Sequence, residues 1–299
     1  MQAATATTDT TTDMVGVAVC QLAPVIGDVE GNVSRAVAAV RDACARGAQV
    51  VVLPELVTTG YAFASVDELR PLAEPASGPS VRAFEQVAAE CSAQAGRPVV
   101  VVGGFAELDP DGVLRNSAFI VDDSGLRTVY RKVHLWDDEN ELFVPGDDPP
   151  AVVDTEVGRI GLCICYDLEF PEWLRTAALA GIDLLCAPTN WPAVPRPEGE
   201  RPIEVTRAQA SASVDRIFVA VCDRVGSERG VDWVGGSAIA GPDGYLLALA
   251  QQDDTEQTLM AQCRLTDARR KGTSPHNGVV ADRRPDLYGA VTRPVTGAR

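Results

Sequence analysis

The sequence places three reactive side chains at the ends of predicted strands. Glu55 follows the apolar run 51–53, Lys132 lies in a stretch of β-strand composition, and Cys165 ends an alternating stretch before Pro171, which opens a helix. A thiol needs a base to act as a nucleophile at neutral pH, and a glutamate whose pKa is raised by burial can be that base. A lysine ammonium and backbone N–H groups can stabilise the oxygen of a tetrahedral intermediate. Brought together, these residues would form a site for nucleophilic catalysis through a tetrahedral intermediate.

Cys165 is the best candidate nucleophile because it lies at the strand-to-helix turn. Backbone N–H groups and the positive end of a helix favour the thiolate at such a turn. Cys163 is predicted to lie on the same face of the strand, but deeper. His134, one of only two histidines, is an alternative base in a Cys–His pair. Taken singly, the three residues also fit ordinary roles: a solvated glutamate, an edge-strand lysine and a buried core cysteine.

Short apolar runs alternate with helical patterns, which indicates a layered α/β fold. Asn32 is predicted to precede a helix, and a second helix is predicted to begin at about Ser80 and to end at Gly96. Strands that are apolar throughout indicate a sheet covered by helices. Hairpin signals at 122–125 and 242–244 indicate mixed sheets rather than purely parallel ones.

The chain shows no low-complexity linker, which predicts one domain over residues 14–265. Residues 1–13 are rich in threonine and are predicted to form a disordered tail. They contain no basic residue and no apolar run, unlike a secretory signal, so we expect a cytoplasmic protein. Residues 266–299 are polar and are predicted to form an extended arm across a neighbouring surface.

The composition excludes several classes of partner. The 299 residues include 26 Lys and Arg against 42 Asp and Glu, a formal net charge of −16, which disfavours nucleic acids and anionic membranes. No run approaches the roughly 18–20 apolar residues that span a bilayer. The eight cysteines include no C-x-x-C pair and are expected to be thiols, so we predict neither a metal site nor a cofactor.

Several short motifs follow one another along the chain. They are Leu53-Pro54-Glu55, Tyr130-Arg131-Lys132-Val133-His134-Leu135, Ile164-Cys165-Tyr166-Asp167 and Phe170-Pro171-Glu172, with further matches at Gln21, Phe143-Val144-Pro145-Gly146, Gly236-Ser237 and Pro242-Asp243-Gly244. In this order the motifs resemble those of the nitrilase, or carbon–nitrogen hydrolase, superfamily. Each motif alone is weak, whereas the combination is specific. The resemblance implies an α/β fold, namely a four-layer αββα sandwich with mixed sheets.

The resemblance also implies a role for each reactive residue. Glu55 corresponds to the general base, Lys132 to the residue that stabilises the oxyanion, and Cys165 to the nucleophile. A second glutamate lies just before the Pro-Gly turn in this superfamily and positions the substrate or the lysine. Glu139 fits the commoner spacing and Glu141 a rarer one.

The reaction implied by the resemblance is hydrolysis of a small linear amide through a thioester. The Cys-Tyr-Asp sequence favours an aliphatic or ω-substituted amidase first, an N-carbamoyl amine or amino-acid hydrolase second, and a nitrilase third. A non-catalytic binding module is the alternative from another class, and the presence of all three catalytic residue types argues against it. The resemblance further implies at least a homodimer.

The substrate pocket is expected in the variable loops near Tyr61, Trp136, Trp191 and Trp233, with Tyr166 beside the nucleophile. Two acidic residues, at 137 and 138, follow the lysine strand. They either face a cationic end of the substrate or form a solvated acidic turn.

Overall fold

The structure, a computed structural model, describes residues 14–294; the predicted tail and residues 295–299 lie outside them. The strands are, in chain order, β1 (Val15–Gln21), β2 (Val50–Val52), β3 (Val100–Leu108), β4 (Leu114–Asp122), β5 (Gly125–Arg131), β6 (Ala151–Thr155), β7 (Gly158–Leu162), β8 (Leu184–Pro188), β9 (Phe218–Cys222), β10 (Ser227–Glu228), β11 (Val231–Asp232), β12 (Ala238–Ala240), β13 (Leu246–Leu249), β14 (Gln257–Cys263), β15 (Gly272–Ser274) and β16 (Asn277–Gly278). The α-helices are α1 (Val29–Ala45), α2 (Val66–Leu69), α3 (Pro79–Ala95), α4 (Glu139–Leu142), α5 (Pro171–Leu179) and α6 (Ile203–Asp215).

Two six-stranded sheets dominate the described part of the chain. Their strand orders are β14-β1-β2-β3-β4-β5 and β6-β7-β8-β9-β12-β13. Read in these directions, both sheets have the same sequence of pairings: antiparallel, parallel, parallel, antiparallel, antiparallel. The mixed sheets predicted from the hairpin signals are therefore confirmed, and each sheet repeats the plan of the other.

Alternation along the central strands divides the core into layers. In β1, Val17 and Val19 belong to the core between the two sheets, whereas Ala18 and Cys20 face the cluster that includes α1 and α3. On the second sheet, α5 and α6 contribute apolar residues to the core around β7, β8 and β9. This arrangement is the αββα sandwich expected from the sequence.

Helix α1 begins at Val29, so Asn32 lies inside the helix and not before it as predicted. The Asp28 carboxylate accepts a hydrogen bond from the Gly31 N–H at 3.1 Å and caps the helix. Asn32 is instead a buried residue whose side chain donates to the carbonyl oxygens of Val25 and Thr58. The Asn32 side chain therefore makes tertiary hydrogen bonds and does not cap the helix.

The strand that leads to the candidate nucleophile is shorter than predicted. Strand β7 ends at Leu162, and Cys165 begins a short 3-10 helix, Cys165–Glu169. None of the helices between residues 14 and 294 has the length and apolar composition needed to cross a bilayer.

Candidate active site

Glu55 lies just beyond the C-terminal end of β2, which is an inner strand of the first sheet, and is fully buried. Its Oε1 accepts hydrogen bonds from Lys132 Nζ at 2.8 Å and from Asn116 Nδ2 at 2.7 Å. Its Oε2 has no hydrogen-bond partner among the described residues. Burial raises the pKa of Glu55 to about 7, although the Lys132 charge opposes the shift. The second oxygen is therefore free to accept a proton near neutral pH.

Lys132 directly follows β5 and is also buried. Its Nζ lies 2.8 Å from Glu55 Oε1 and 2.7 Å from Glu139 Oε1, so two carboxylates surround one ammonium. Burial acts to lower the pKa of Lys132, but the charges of Glu139 and Glu55 outweigh it and raise the pKa above its usual range. The Lys132 ammonium stays charged, because the carboxylates of Glu55 and Glu139 both pair with it.

Glu139, and not Glu141, meets the lysine. Helix α4 begins at Glu139, whose Oε1 accepts from Lys132 Nζ and, at 2.6 Å, from the Tyr61 hydroxyl. Its Oε2 accepts from the Trp136 N–H at 3.0 Å. Glu141, two positions further along the same helix, is exposed. Of the two candidates that the sequence left open, Glu139 is therefore the one in contact with Lys132, and its role stays a prediction.

Cys165 adopts a left-handed backbone conformation with φ of 46°, which is uncommon for a residue other than glycine. The thiol is buried, and its Sγ lies 3.7 Å from the carbonyl oxygen of Asn190. Burial, followed by the charge of Glu55, raises the pKa of Cys165 well above its ordinary value. The expectation that the turn favours a thiolate is therefore wrong, because burial outweighs it. The thiol needs a base, and the Glu55 and Lys132 charges both act on it.

Two asparagines that sequence reasoning missed hold the site together. Asn116 on β4 donates to Glu55 at 2.7 Å and to Glu139 at 3.4 Å. Asn190 follows β8, accepts from the Cys165 thiol and donates through Nδ2 to the backbone oxygen of Glu55 at 2.9 Å. The available signal was a buried polar residue inside or just after an apolar strand.

His134 is committed to another contact. Its Nδ1 lies 2.7 Å from Asp167 Oδ1, and its ring stacks on Phe170 with centroids 3.7 Å apart. Asp167 also accepts from the Tyr130 hydroxyl and from the Ile164 N–H, so it fixes the turn before Cys165. His134 therefore belongs to the support of this turn, and Glu55 is the base that the geometry offers.

A cavity of about 420 Å³ opens beside this cluster. Its described lining includes Tyr61, Trp136, Glu139 and Trp233 among the predicted site residues. Tyr166 is not part of that lining but packs edge-on against Trp136, with ring centroids 4.9 Å apart.

Trp191 is buried and is likewise not part of the described lining. Its ring packs against Gly236, and its backbone N–H donates to the Asp223 carboxylate at 3.0 Å. Its substrate contact stays a prediction. Among residues 14–294, no group of three or more His, Cys, Asp or Glu side chains is arranged to hold a metal ion.

Comparison with known proteins identifies the family. The carbon–nitrogen hydrolase family profile matches residues 16–271, most of the chain. The chain belongs to this family. As a carbon–nitrogen hydrolase it is an enzyme, which confirms the expectation from the motifs and sets aside the non-catalytic module.

The relatives of this carbon–nitrogen hydrolase carry several activity names. It is 36% identical to a nitrilase of Pyrococcus abyssi over 92% of this chain and 99% of that protein. It is 32% identical to an (R)-stereoselective amidase of a Pseudomonas species, over 93% of this chain and 95% of the relative. It is also 32% identical to an N-carbamoylputrescine amidase of Arabidopsis thaliana, over 87% of this chain and 90% of the relative.

Solved structures share the fold of the carbon–nitrogen hydrolase. The crystal structure of an amidase from Nesterenkonia sp. superposes with a TM-score of 0.74 at 24% identity, covering 92% of this chain and 95% of the other. This likeness, together with the two stacked sheets, confirms the expected nitrilase-like αββα sandwich.

The placement of the second glutamate leads to a test. Replacing Glu139 with glutamine (Glu139→Gln) removes the negative charge beside Lys132. It also turns one of the two oxygens into an amide donor, which then faces either Lys132 and Tyr61 or the backbone N–H of Trp136. We expect kcat/KM to fall about 10- to 100-fold, since a hydrogen bond to a charged group contributes roughly 1.5–3 kcal/mol. Steady-state kinetics on a small amide measures the change. Glu141→Gln is the matched control and should leave kcat/KM unaltered; the reverse pattern would assign the role to Glu141.

Proposed function

We propose that this enzyme hydrolyses small linear amides to a carboxylate and ammonia, through a thioester on Cys165. The observation that carries the proposal is the arrangement around Glu55. A buried carboxylate with one free oxygen, a permanently charged lysine and a protonated thiol interact within one site. Base, electrophilic stabiliser and nucleophile are the groups that acyl transfer requires.

The first half of the reaction forms the thioester. The Cys165 thiol gives its proton to Glu55 Oε2 as the sulfur attacks the amide carbon and the sulfur–carbon bond forms. The carbonyl oxygen takes the negative charge and is stabilised by Lys132 Nζ and the backbone N–H of Tyr166, in the first turn of the 3-10 helix. The intermediate then collapses, the carbon–nitrogen bond breaks, and ammonia leaves with the proton from Glu55.

The second half releases the acid. A water molecule gives a proton to Glu55 while its oxygen attacks the thioester carbon. The sulfur–carbon bond breaks, and the proton returns from Glu55 to the sulfur. Glu55 therefore serves twice, which requires a pKa close to the working pH, and burial raises it to about 7.

The cavity supports an aliphatic amide or one that ends in an amine or guanidine. Asp137 and Asp138 line it together with Glu139, and the single described cation in the lining, Arg229, is paired with Glu68. An acidic lining attracts a cationic end and repels a carboxylate. The runner-up, hydrolysis of an N-carbamoyl amine, is supported by the same acidic lining and by the relatives named N-carbamoylputrescine amidase. Nitrile hydrolysis comes third, supported by a relative named nitrilase.

A substrate panel tests the proposal. We expect purified enzyme to release ammonia from straight-chain amides, with ω-amino amides ahead of uncharged amides of equal length. Faster release of ammonia from N-carbamoyl amines would favour the runner-up reaction. Conversion of nitriles alone would favour nitrile hydrolysis. Equal rates on charged and uncharged amides would remove the electrostatic argument and leave an aliphatic amidase. Ammonia is measured by a coupled assay in every arm.

The raised pKa of Glu55 predicts the pH dependence. Glu55 must be ionised to accept the thiol proton, so a raised pKa means loss of activity on the acidic side. We expect kcat/KM for an uncharged amide to fall about tenfold for each pH unit below about 7 and to level off above it. Circular dichroism at the same pH values checks that the protein stays folded. A profile that is flat down to about pH 5 would contradict Glu55 as the base.

Assembly and cellular location stay predictions. The described part of the C-terminal arm, up to residue 294, is largely exposed and borders a groove of about 870 Å³ beside α5. Exposed apolar residues of this region, Leu179, Tyr288 and Val291, lie along the groove. We propose that a second copy of the chain covers it in a homodimer, and that the enzyme acts in the cytoplasm.

A further inference from the structure

Gly104 on β3 lies directly against the backbone of Glu55. A Cβ atom built on Gly104 would come within 2.5 Å of the Leu56 backbone nitrogen and 2.6 Å of the Glu55 Cα. Carbon atoms that are not bonded to each other pack at about 3.5–4.0 Å. The two backbones therefore approach so closely that this position of β3 has no room for a side chain.

Two hydrogen bonds hold the two backbones together. The Gly104 N–H donates to the Pro54 carbonyl oxygen at 3.1 Å, and the Gly104 carbonyl oxygen accepts from the Val57 N–H at 3.0 Å. These two partners flank Glu55 in the sequence. Between them the chain turns sharply, and Leu56 has a left-handed backbone conformation with φ of 45°, which is uncommon for a residue other than glycine. Gly104 thus fixes the short segment that carries the candidate base.

The second sheet encloses Glu55 from the other side. The Glu55 N–H donates to the Thr189 carbonyl oxygen at 3.4 Å, and Asn190 Nδ2 donates to the Glu55 carbonyl oxygen at 2.9 Å. Thr189 and Asn190 follow β8, and both are buried. Glu55 therefore lies between the two sheets and cannot move away from Gly104 without displacing the segment after β8.

A displacement of Glu55 would alter the geometry of the whole site. Its carboxylate accepts from Lys132 at 2.8 Å and from Asn116 at 2.7 Å, and both contacts depend on where its backbone lies. The carbonyl oxygen of Asn190 is also the atom that lies 3.7 Å from Cys165 Sγ. A misplacement of about 1 Å in a catalytic group can lower the rate about 100-fold.

We propose that Gly104 is a positioning residue of the active site, because only the absence of its side chain lets β3 hold Glu55 at its working distance from Lys132 and Cys165. Gly104 takes no part in the chemistry and acts through the Glu55 backbone. This inference rests on the proposed function, in which Glu55 is the base. It adds a requirement of the site that lies outside the charged cluster.

Gly103 offers a matched control one position earlier. Successive residues of a strand face opposite sides of the sheet, and Gly103 faces the cluster that includes α1 and α3. A Cβ atom built on it would meet Phe119 Cζ at 2.8 Å and Leu53 Cδ1 at 3.2 Å. These atoms are the far ends of side chains and can shift by a change of side-chain torsion, whereas the backbone of Glu55 cannot.

Kinetics on a small amide tests the proposal. We expect Gly104→Ala to lower kcat about 100-fold and to change KM less than about threefold, because a displaced base affects the transition state and not the binding of the substrate. Gly103→Ala adds the same methyl group and should keep kcat within about threefold of the wild-type value, even if its melting temperature falls. Circular dichroism and a thermal melt show that each variant is folded at the assay temperature.

Two kinetic outcomes would overturn the proposal. One is a folded Gly104→Ala variant with the kcat of the wild-type enzyme, which would mean that the site tolerates a side chain at this position. The other is an equal loss of kcat in Gly103→Ala, which would assign the effect to packing of the strand and not to the placement of Glu55.

A crystal structure of Gly104→Ala separates this inference from the proposed reaction. We expect the Glu55 Cα to lie about 1 Å further from β3, since a carbon–carbon contact of normal length requires that shift. The shift, combined with a wild-type enzyme that hydrolyses no amide, would refute the proposed function and support the inference. Amide hydrolysis by the wild-type enzyme, combined with an unmoved Glu55 in the variant, would do the opposite.

Hydrogen exchange on the wild-type protein decides the matter if Gly104→Ala does not fold. The N–H groups of Gly104 and Val57 form the two hydrogen bonds that hold the Glu55 segment. Both should exchange as slowly as the N–H of Leu53, which donates to the Val102 carbonyl oxygen at 2.8 Å. Fast exchange at Gly104 or Val57 would show that β3 does not fix this segment, and would overturn the proposal.

Discussion

Replacing Cys165 with alanine (Cys165→Ala) is expected to abolish amide hydrolysis while leaving the fold intact. The sulfur is the atom that bonds to the substrate in the proposed reaction, and alanine offers no replacement. Loss of a nucleophile that acts together with its base lowers kcat by roughly 10⁴- to 10⁶-fold. Ammonia release measures turnover, and circular dichroism with a thermal melt measures the fold.

Cys163→Ala is the matched control for this result. Cys163 is equally buried, lies two positions earlier and is not part of the charged cluster. The Cys163→Ala substitution should lower the stability of the fold somewhat and leave kcat unchanged, because only packing is lost. Normal activity of purified Cys165→Ala would end the thioester proposal, and loss of activity in both variants would point to packing rather than chemistry.

Replacing Glu55 with glutamine (Glu55→Gln) is expected to have the second largest effect. Glutamine can still accept from Asn116 through its amide oxygen, but it takes no proton from the thiol. A positioned base contributes about 10²- to 10⁴-fold, and Glu55 serves in both halves of the reaction, so we expect a loss of about 10⁴-fold. Kinetics on an uncharged amide measures the loss, and the acidic limb centred on a pKa of about 7 should disappear from any residual activity.

The control for this variant is another buried glutamate on the same sheet. Glu107 lies on β3 and binds Arg131 at 2.8 Å and Ser117 at 2.7 Å. Glu107→Gln therefore removes a buried carboxylate that has no part in the proposed chemistry. It should lower the melting temperature and spare kcat/KM. Retention of more than about a tenth of the activity in Glu55→Gln would exclude Glu55 as the general base.

Much of the fold was predictable because local patterns matched tertiary roles. The all-valine strand β2 and the end of α3 at Gly96, where φ is 63°, follow from burial and from the conformational freedom of glycine. The start of α1 was not predictable in the same way. Asn32 has the sequence signature of a helix cap, but its side chain bonds to Thr58, and that contact exists only after folding.

The residues of the candidate site also fall into two groups, those that the sequence predicted and those that depend on tertiary contacts. Motif order led to Glu55, Lys132 and Cys165. The structure pairs Glu55 with Lys132, and the charges of both act on the Cys165 thiol. Asn116 and Asn190 were missed because a position near an apolar strand does not show which groups an asparagine will bond to after folding. The protonation of Cys165 was misjudged for a related reason. A turn can be read from the sequence, whereas the depth of burial around it depends on both sheets.

The pairing of β14 with β1 has a consequence for how the protein is made. Strands β1 to β5 are consecutive, but their sheet is completed by β14, which ends at Cys263. During synthesis, the edge of the first sheet at β1 stays unpaired until β14 has been translated. Because β14 follows every strand of the second sheet in the chain, the first sheet gains its last strand only after the second sheet has been translated.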